Sequence, residues 1–278
     1  MSARIVPRRV LLAAAVVLAA AAVWAIRHVF AVLGAFDGAG HRFTYVYAGM
    51  FLLLLWQIGG AYLELPATAT CQAREYLDAL RVVAIVPVYN EDPAALRACL
   101  ESMVGQTRTP DVIYVVDDGS TNVDEYETVK RWFLDAAPTR GINVAWHVRE
   151  NAGKRHAQAV AVRTTGDADI YWTVDSDTVS DPRALDELLL PFADPRVQSV
   201  AGVVMAANVR SSFLARITDL WFVTGQLTDR SSLSVFGAVW VNSGPIAAYR
   251  AAAIRDNLDG YRTETFSAGM RSSRMIRC

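Results

Sequence analysis

Two long apolar runs open the chain. Residues 10–26 are almost uninterrupted Ala, Val and Leu before Arg27-His28, and residues 45–65 carry no charge before Glu64. A helix needs about 20 apolar residues to cross a bilayer. That length predicts one crossing over residues 10–33 and a second over 45–65, joined by a short loop at 34–44, so that residues 1–66 make a helical hairpin. Residues 67–80 are polar and read as a linker, or as a helix lying along the membrane. From Arg81 the pattern changes. Short β-rich runs at Val82–Val88, 112–116, Asn143–Val148, Ile170–Val174 and 200–205 alternate with amphipathic stretches at Pro93–Val104, 124–136, Lys154–Thr164 and 183–190. Strands and helices alternating at this spacing predict βαβ units, hence an α/β domain around a mostly parallel central sheet. Residues 213–233 have alternating apolar and polar faces, which suits either a helix against a membrane surface or a plain packing helix.

Composition locates the excess of apolar residues. The 278 residues are 53% hydrophobic with a mean hydropathy of +0.22, and most of that excess lies in the first 65 residues. The first run could instead be a secretory signal peptide with Arg4, Arg8 and Arg9 as its basic start. The second run argues against that, and so do three scattered cysteines, Cys71, Cys99 and Cys278, which suit neither a disulfide framework nor a metal knuckle. The three arginines place the N-terminus in the cytoplasm by the positive-inside rule, and two crossings return the chain there. A net charge of −1 offers no basic face for nucleic acid.

In open parallel sheets, ligands bind beyond the carboxyl ends of the strands, so the residues that follow each strand carry the functional information. The first strand ends in Tyr89-Asn90-Glu91, an aromatic ring and a carboxylate that suit a nucleobase, although Pro-x-x-Asn also makes an ordinary turn. The second ends in Asp117-Asp118-Gly119-Ser120; the doubled acid suits a base and ribose, whereas a single Asp-Gly-Ser would be an Asx turn. After the third comes Asn151-Ala152-Gly153-Lys154-Arg155-His156. Glycine and two cations at a helix start are poorly placed against the helix dipole unless an anion such as a diphosphate joins them. The fourth runs into Asp175-Ser176-Asp177, two carboxylates that can share a hard divalent cation, which would stabilise charge on a departing diphosphate.

Taken in order, these stretches resemble family 2 glycosyltransferases of the GT-A fold, nearest to the bacterial hyaluronan synthases and next to the chitooligosaccharide synthases. Gly153 to Gln158, Thr173 to Thr178, Leu214-Ala215-Arg216-Ile217-Thr218-Asp219, and Ser243-Gly244-Pro245 with Tyr249-Arg250 carry the resemblance, which spans residues 81–266. It implies a cell-membrane, multi-pass enzyme with its catalytic domain in the cytoplasm. Such an enzyme transfers sugar from UDP-N-acetylglucosamine and/or UDP-glucuronate to a growing polysaccharide, with inversion and with Mg²⁺ or Mn²⁺. By resemblance Tyr89, Glu91, Asp117 and Asp118 hold the uridine, and Lys154 and Arg155 lie near the base or diphosphate. Asp175 and Asp177 contact the sugar and the metal, with Asp177 favoured as the direct ligand, and Ser243-Gly244-Pro245 lines the acceptor site.

The resemblance weakens after Phe266. The family's acidic general-base motif and its Gln-x-x-Arg-Trp motif do not follow; residues 267–278 contain no acid and read as an aberrant tail. The expectation is a donor-binding domain, incomplete at 266 and impaired as a polymerase, since a general base contributes roughly 10²–10⁴-fold. Asp259 and Glu264 are the nearby carboxylates, and neither fits the base position. A single-donor chitin-type enzyme, a non-processive transferase and a UDP-sugar binder without turnover remain as alternatives.

Overall fold

The computed structural model describes residues 16, 17, 20, 23, 24, 26–28, 31, 40–242 and 244–263. Most of the first expected crossing, Ser243 of the expected acceptor site, Glu264 and the tail at 267–278 therefore lie outside the described residues. Along the chain come α1 (Gly40–Leu63), α2 (Cys71–Ala79), β1 (Val82–Val88), α3 (Pro93–Val104), β2 (Val112–Asp117) and α4 (Val123–Ala136). Then follow β3 (Asn143–Val148), α5 (Lys154–Thr164), β4 (Ile170–Val174), α6 (Ala184–Leu189) and β5 (Ser199–Ala201). The last are α7 (Phe213–Gly225), a π-helical turn at Gln226–Arg230, α8 (Ser231–Ser234), β6 (Ile246–Arg250), α9 (Ala251–Asp256) and α10 (Leu258–Thr263).

The chain divides into two compact units. In the first, which joins the stretch up to Leu65 with Thr224–Phe236, α1 is the one helix among the described residues long and apolar enough to cross a membrane. Its window Val46–Leu63 has mean hydropathy 1.5 and is 6% buried. It covers the second predicted crossing, and Pro66 follows its end, a residue type that disfavours helix just before it. A Cβ on Gly60 would stand 2.7 Å from Ser232 Cβ, so α1 and α8 touch at a point that needs a residue without a side chain. Trp56 stacks on Phe236 nearby, ring centroids 5.6 Å apart.

The second unit holds the sheet, in the order β3-β2-β1-β4-β6-β5. β6 runs antiparallel to both of its neighbours, and the other pairings are parallel. The sheet is thus mixed and mostly parallel. Every residue of β1 is buried, as expected for a central parallel strand covered on both faces. Val82, Ala84, Val86 and Val88 face a cluster with Leu96, Leu100, Met103, Tyr126 and Phe133 of α3 and α4. Val83 and Ile85 face the opposite cluster, with Ala157, Ala161 and Val162 of α5. This two-residue alternation is the strand period itself. Asp92 starts α3 by accepting from the amides of Ala94 and Ala95, both at 2.9 Å, with Pro93 as the first helical residue.

Three differences from the sequence expectations have physical reasons. The stretch read as a linker, or as a helix lying along the membrane, holds α2, whose Leu77 is buried in the main core and whose Arg74 reaches Asp186 at 2.8 Å. β5 ends at Ala201 rather than 205; Gly202 still donates to Ile246, but a Cβ there would strike the Ile246 side chain at 2.5 Å. β6 was not anticipated. Its Ile246-Ala247-Ala248 is buried between two strands, so it shows no alternation. α7 buries none of its side chains, and Phe213, Leu214, Leu220, Trp221 and Phe222 are all exposed.

Candidate functional site

The carboxyl ends of β1, β2 and β3 finish level, with Val88 opposite Asp117 and Asp117 opposite Val148. The loops that follow are fastened to one another. Asn90, at φ 48°, donates its amide to Ser120 Oγ at 3.0 Å and accepts from the Thr121 amide at 2.7 Å. Gly119, at φ 78°, passes so near the β3 loop that a Cβ would stand 2.7 Å from the Asn151 amide nitrogen. Only glycine satisfies both the positive φ and the close approach.

The two adjacent acids after β2 do different things. Asp117 is fully buried; one oxygen accepts from the Ser120 amide at 2.9 Å and the other from the Tyr126 hydroxyl at 2.7 Å. Both oxygens of the carboxylate are thus engaged within the protein, on the inner side of the loop. Burial pushes the Tyr126 phenol up; a hydrogen bond with Ser120 opposes this and Asp117 adds to it. Asp118 is also nearly buried. Its oxygens accept from the Ala152 amide at 3.2 Å and the Gly153 amide at 2.7 Å, and Arg149 Nε lies 3.3 Å away. The carboxylate therefore braces the turn that leads into α5. That helix starts at Gly153, φ 94°, without a side-chain cap.

The remaining acids gather around the end of β4. Ser176 Oγ donates to Glu91 Oε2 at 2.5 Å, which ties the β1 and β4 loops together. Beneath them the buried Cys99 thiol donates to the Asp175 carbonyl at 3.4 Å. That thiol is pushed up to about 12, by burial first and then by the negative charges of Asp177, Glu91 and Asp175. Glu91 reaches Ser176, which lies between Asp175 and Asp177, so the three acids stand on two loops that are tied together. Lys154 at the start of α5 pairs with Asp175, and a Cβ on Gly244 would lie 4.0 Å from both Asp175 Oδ2 and Lys154 Nζ. Pro245 accepts the Asp175 amide at 3.0 Å. Asp177 is exposed and has no hydrogen-bond or ion-pair partner among the described residues. Tyr89 presents a ring 53% exposed beside these loops, and Arg155 stands against the Tyr261 ring, 5.4 Å to its centroid.

Glu91, Lys154, Asp175, Asp177, Gly244 and Pro245 are thus brought together, Tyr89 and Arg155 border them, and Asp117 and Asp118 lie beneath as braces. Asp259 is elsewhere. It pairs with Arg163 at 3.3 Å, and Arg163 is nine residues along α5 from Lys154, about 13 Å at the helical rise. Arg149, Asn90, Ser120, Ser176 and Tyr261 were missed as site residues. Among the described residues no group of three His, Cys, Asp or Glu side chains could hold a metal ion. The donor set of Asp177 with Asp175 nonetheless fits Mg²⁺ or Mn²⁺. Small hard cations are commonly held by one or two carboxylates, with substrate phosphate oxygens and water completing the shell.

Comparison with known proteins gives four findings. The family model for glycosyl transferase family 2 matches residues 83–258. Hyaluronan synthase of Streptococcus pyogenes is 38% identical over 186 residues, 67% of this chain and 44% of that protein. An N-acetylglucosaminyltransferase of Sinorhizobium fredii is 37% identical over 183 residues, 66% of this chain and 43% of that protein. The chain spans less than half the length of these curated relatives. Among solved structures, a mannosyltransferase from Pyrobaculum calidifontis in complex with GDP-Man and Mn²⁺ superposes with a TM-score of 0.54 at 22% identity. It covers 83% of this chain and 58% of its own, a likeness of fold.

Proposed function

The chain belongs to glycosyl transferase family 2 and has a GT-A-like fold, and from that membership we propose that it transfers sugar from a UDP-sugar to a growing polysaccharide at the cell membrane. The observation that carries the proposal is the cluster at the end of β4. There an exposed Asp177, without a hydrogen-bond or ion-pair partner among the described residues, stands beside Asp175 and opposite the Lys154-Arg155 start of α5. Carboxylates on one side and cations on the other suit a metal-bound diphosphate. A bound Mg²⁺ or Mn²⁺ would neutralise charge on the departing UDP. The chain's own residues do the rest of the donor's work. Tyr89 stacks on the uracil, Glu91 holds the nucleoside end, Lys154 and Arg155 face the diphosphate, and Asp175 and Asp177 hold the cation. Gly244 and Pro245, with Ser243, border the side from which an acceptor sugar arrives. Asp118 serves the uridine by bracing the Ala152-Gly153 turn. The proposal includes inversion at the donor carbon.

For the membrane, we propose a hairpin of crossings over residues 10–33 and 45–65, with the catalytic domain at 81–266 on the cytoplasmic side. The exposed apolar length of α1 supports the second crossing. The unburied face of α7 supports contact with the bilayer surface.

The donors are UDP-N-acetylglucosamine and UDP-glucuronate in the leading reading. A single-donor transferase using UDP-N-acetylglucosamine is the second, supported by the nearly equal identity to the Sinorhizobium N-acetylglucosaminyltransferase. The test is Mn²⁺-dependent UDP release by the detergent-solubilised chain from each donor alone and from both, with Asp177→Ala as control. Release requiring both donors supports the first reading, and release from UDP-N-acetylglucosamine alone supports the second. Metal-dependent UDP binding without release would leave a donor binder. No binding, or binding unchanged by Asp177→Ala, would overturn the site.

A further inference from the structure

α10 lies along α5, the helix that carries the basic pair at its start. Leu258 shares a core cluster with Ala157, Ala161 and Val162, Asp259 pairs with Arg163, and Tyr261 meets two more α5 side chains. Its hydroxyl donates to Gln158 Oε1 at 2.5 Å, and Arg155 Cζ stands 5.4 Å from its ring centroid. Residues 155 and 158 are three apart and so lie one above the other on a single helix face; one phenol spans both. Gln158 is buried, so the hydroxyl bond anchors the ring rather than decorating the surface. Anchored there, the ring offers its electron-rich face to the guanidinium. Burial pushes the Tyr261 phenol up, with Arg155 opposing and Asp175 adding. The hydroxyl therefore stays a donor, and the charges of the cluster reach it.

We infer that Tyr261 is a positioning residue for Arg155, holding the guanidinium at the start of α5 ready for the diphosphate of a nucleotide-sugar. The inference rests on the donor reading given above. Fixing an arginine costs rotamer entropy, and a ring already packed against it removes part of that loss before the ligand arrives. Tyr261 lies past residue 258, where the family match ends, and it is 103 residues from Gln158 in sequence. It makes no contact with the reacting atoms in this role; it acts through Arg155.

The test measures UDP affinity by calorimetry with Mn²⁺ for the whole chain and for Tyr261→Phe, Tyr261→Leu, Arg155→Met and the double variant Tyr261→Leu/Arg155→Met. Phenylglyoxal labelling of Arg155, read by mass spectrometry without ligand, accompanies it. Tyr261→Leu is expected to weaken UDP by about two- to fivefold, the size of a partly exposed cation–π contact. Tyr261→Phe keeps the ring and loses less. In the Arg155→Met background the leucine has no further effect, and in the single variant Arg155 labels faster than in the unaltered chain. Equal weakening with and without Arg155 would mark a merely structural role and overturn the inference, while leaving the donor site standing. If the unaltered chain binds no UDP, the donor reading falls, and the role inferred for Tyr261 falls with it. Unchanged labelling in both Tyr261 variants would then refute even the holding of Arg155.

Discussion

Replacing Asp118 with alanine separates two uses of that carboxylate, as a brace inside the protein or as a contact to a nucleotide. The side chain is 4% exposed and accepts from two backbone amides, at 2.7 Å from Gly153 and 3.2 Å from Ala152. Removing it takes the charged acceptor from those amides; Ala152 and Gly153 are exposed, so water can replace it, and the cost is the net worth of two hydrogen bonds to a charged group, about 1.5 kcal/mol each. Arg149 also loses a partner, but its side chain is 20% exposed and can be hydrated. The loss then comes to about 3 kcal/mol. For a domain of this size that corresponds to a fall in Tm of about 6–12 °C, at about 2–4 °C per kcal/mol. Trp172 and Trp146 lie in the same unit, so intrinsic fluorescence during a thermal ramp in detergent reads the transition. Asp118→Asn keeps one acceptor oxygen and should lose roughly half as much. If Asp118→Ala melts within about 1 °C of the unaltered chain but no longer binds UDP, the bracing account is wrong and the carboxylate touches the nucleotide.

Gly119→Ala should destabilise the same loop by about 2–4 kcal/mol, because a non-glycine residue at positive φ costs about 1–2 kcal/mol and the new Cβ meets the Asn151 nitrogen at 2.7 Å. Its effect on Tm combined with that of Asp118→Ala should fall short of the sum, since both act on one loop; strict additivity would refute the shared mechanism. Cys99 has a folded pKa of about 12 against a reference value of 9.0. Between those values the unfolded chain releases a proton that the folded chain keeps, so the stability contributed is complete below pH 9 and is lost as pH rises toward 12. Cys99→Ala should flatten the decline in Tm above pH 9, and iodoacetamide at pH 8 should label the exposed Cys71 but spare Cys99. Equal labelling of the two would contradict the burial.

The elements that could be read from the sequence are those whose period matches their surroundings. β1, β4, α3 and α5 follow the expected limits because a buried run or an amphipathic stretch marks each one locally; β3 also keeps its expected limits, although none of its residues is buried. α2 is different: its fixing contacts are one buried leucine and an ion pair to Asp186, which is 112 residues away. β6 likewise owes its existence to β4 and β5 rather than to its own residues. At the site, the rule of strand carboxyl ends found the loops, and the cluster of Glu91, Lys154, Asp175 and Asp177 lies where those loops meet. The division of labour between Asp117 and Asp118 was missed although a signal existed. Ile113 and Val115 face the α3–α4 core, and continuing that alternation turns Asp117 inward beneath Tyr126. Tyr261 gave no local signal, because its partners lie a hundred residues earlier.

The reversed β6 makes completion of the sheet depend on residues synthesised long after the strand they join. Ile170 pairs with Arg250 and Val174 with Ile246, and the Asp175 amide is satisfied by Pro245. Until that distant segment leaves the ribosome, one side of β4 is a bare edge of unpaired amides and carbonyls, the kind of edge that recruits other chains. The acidic loop after β4 therefore matures late. A nascent chain halted before residue 245 would lack both the strand that protects β4 and the carbonyl that sets Asp175.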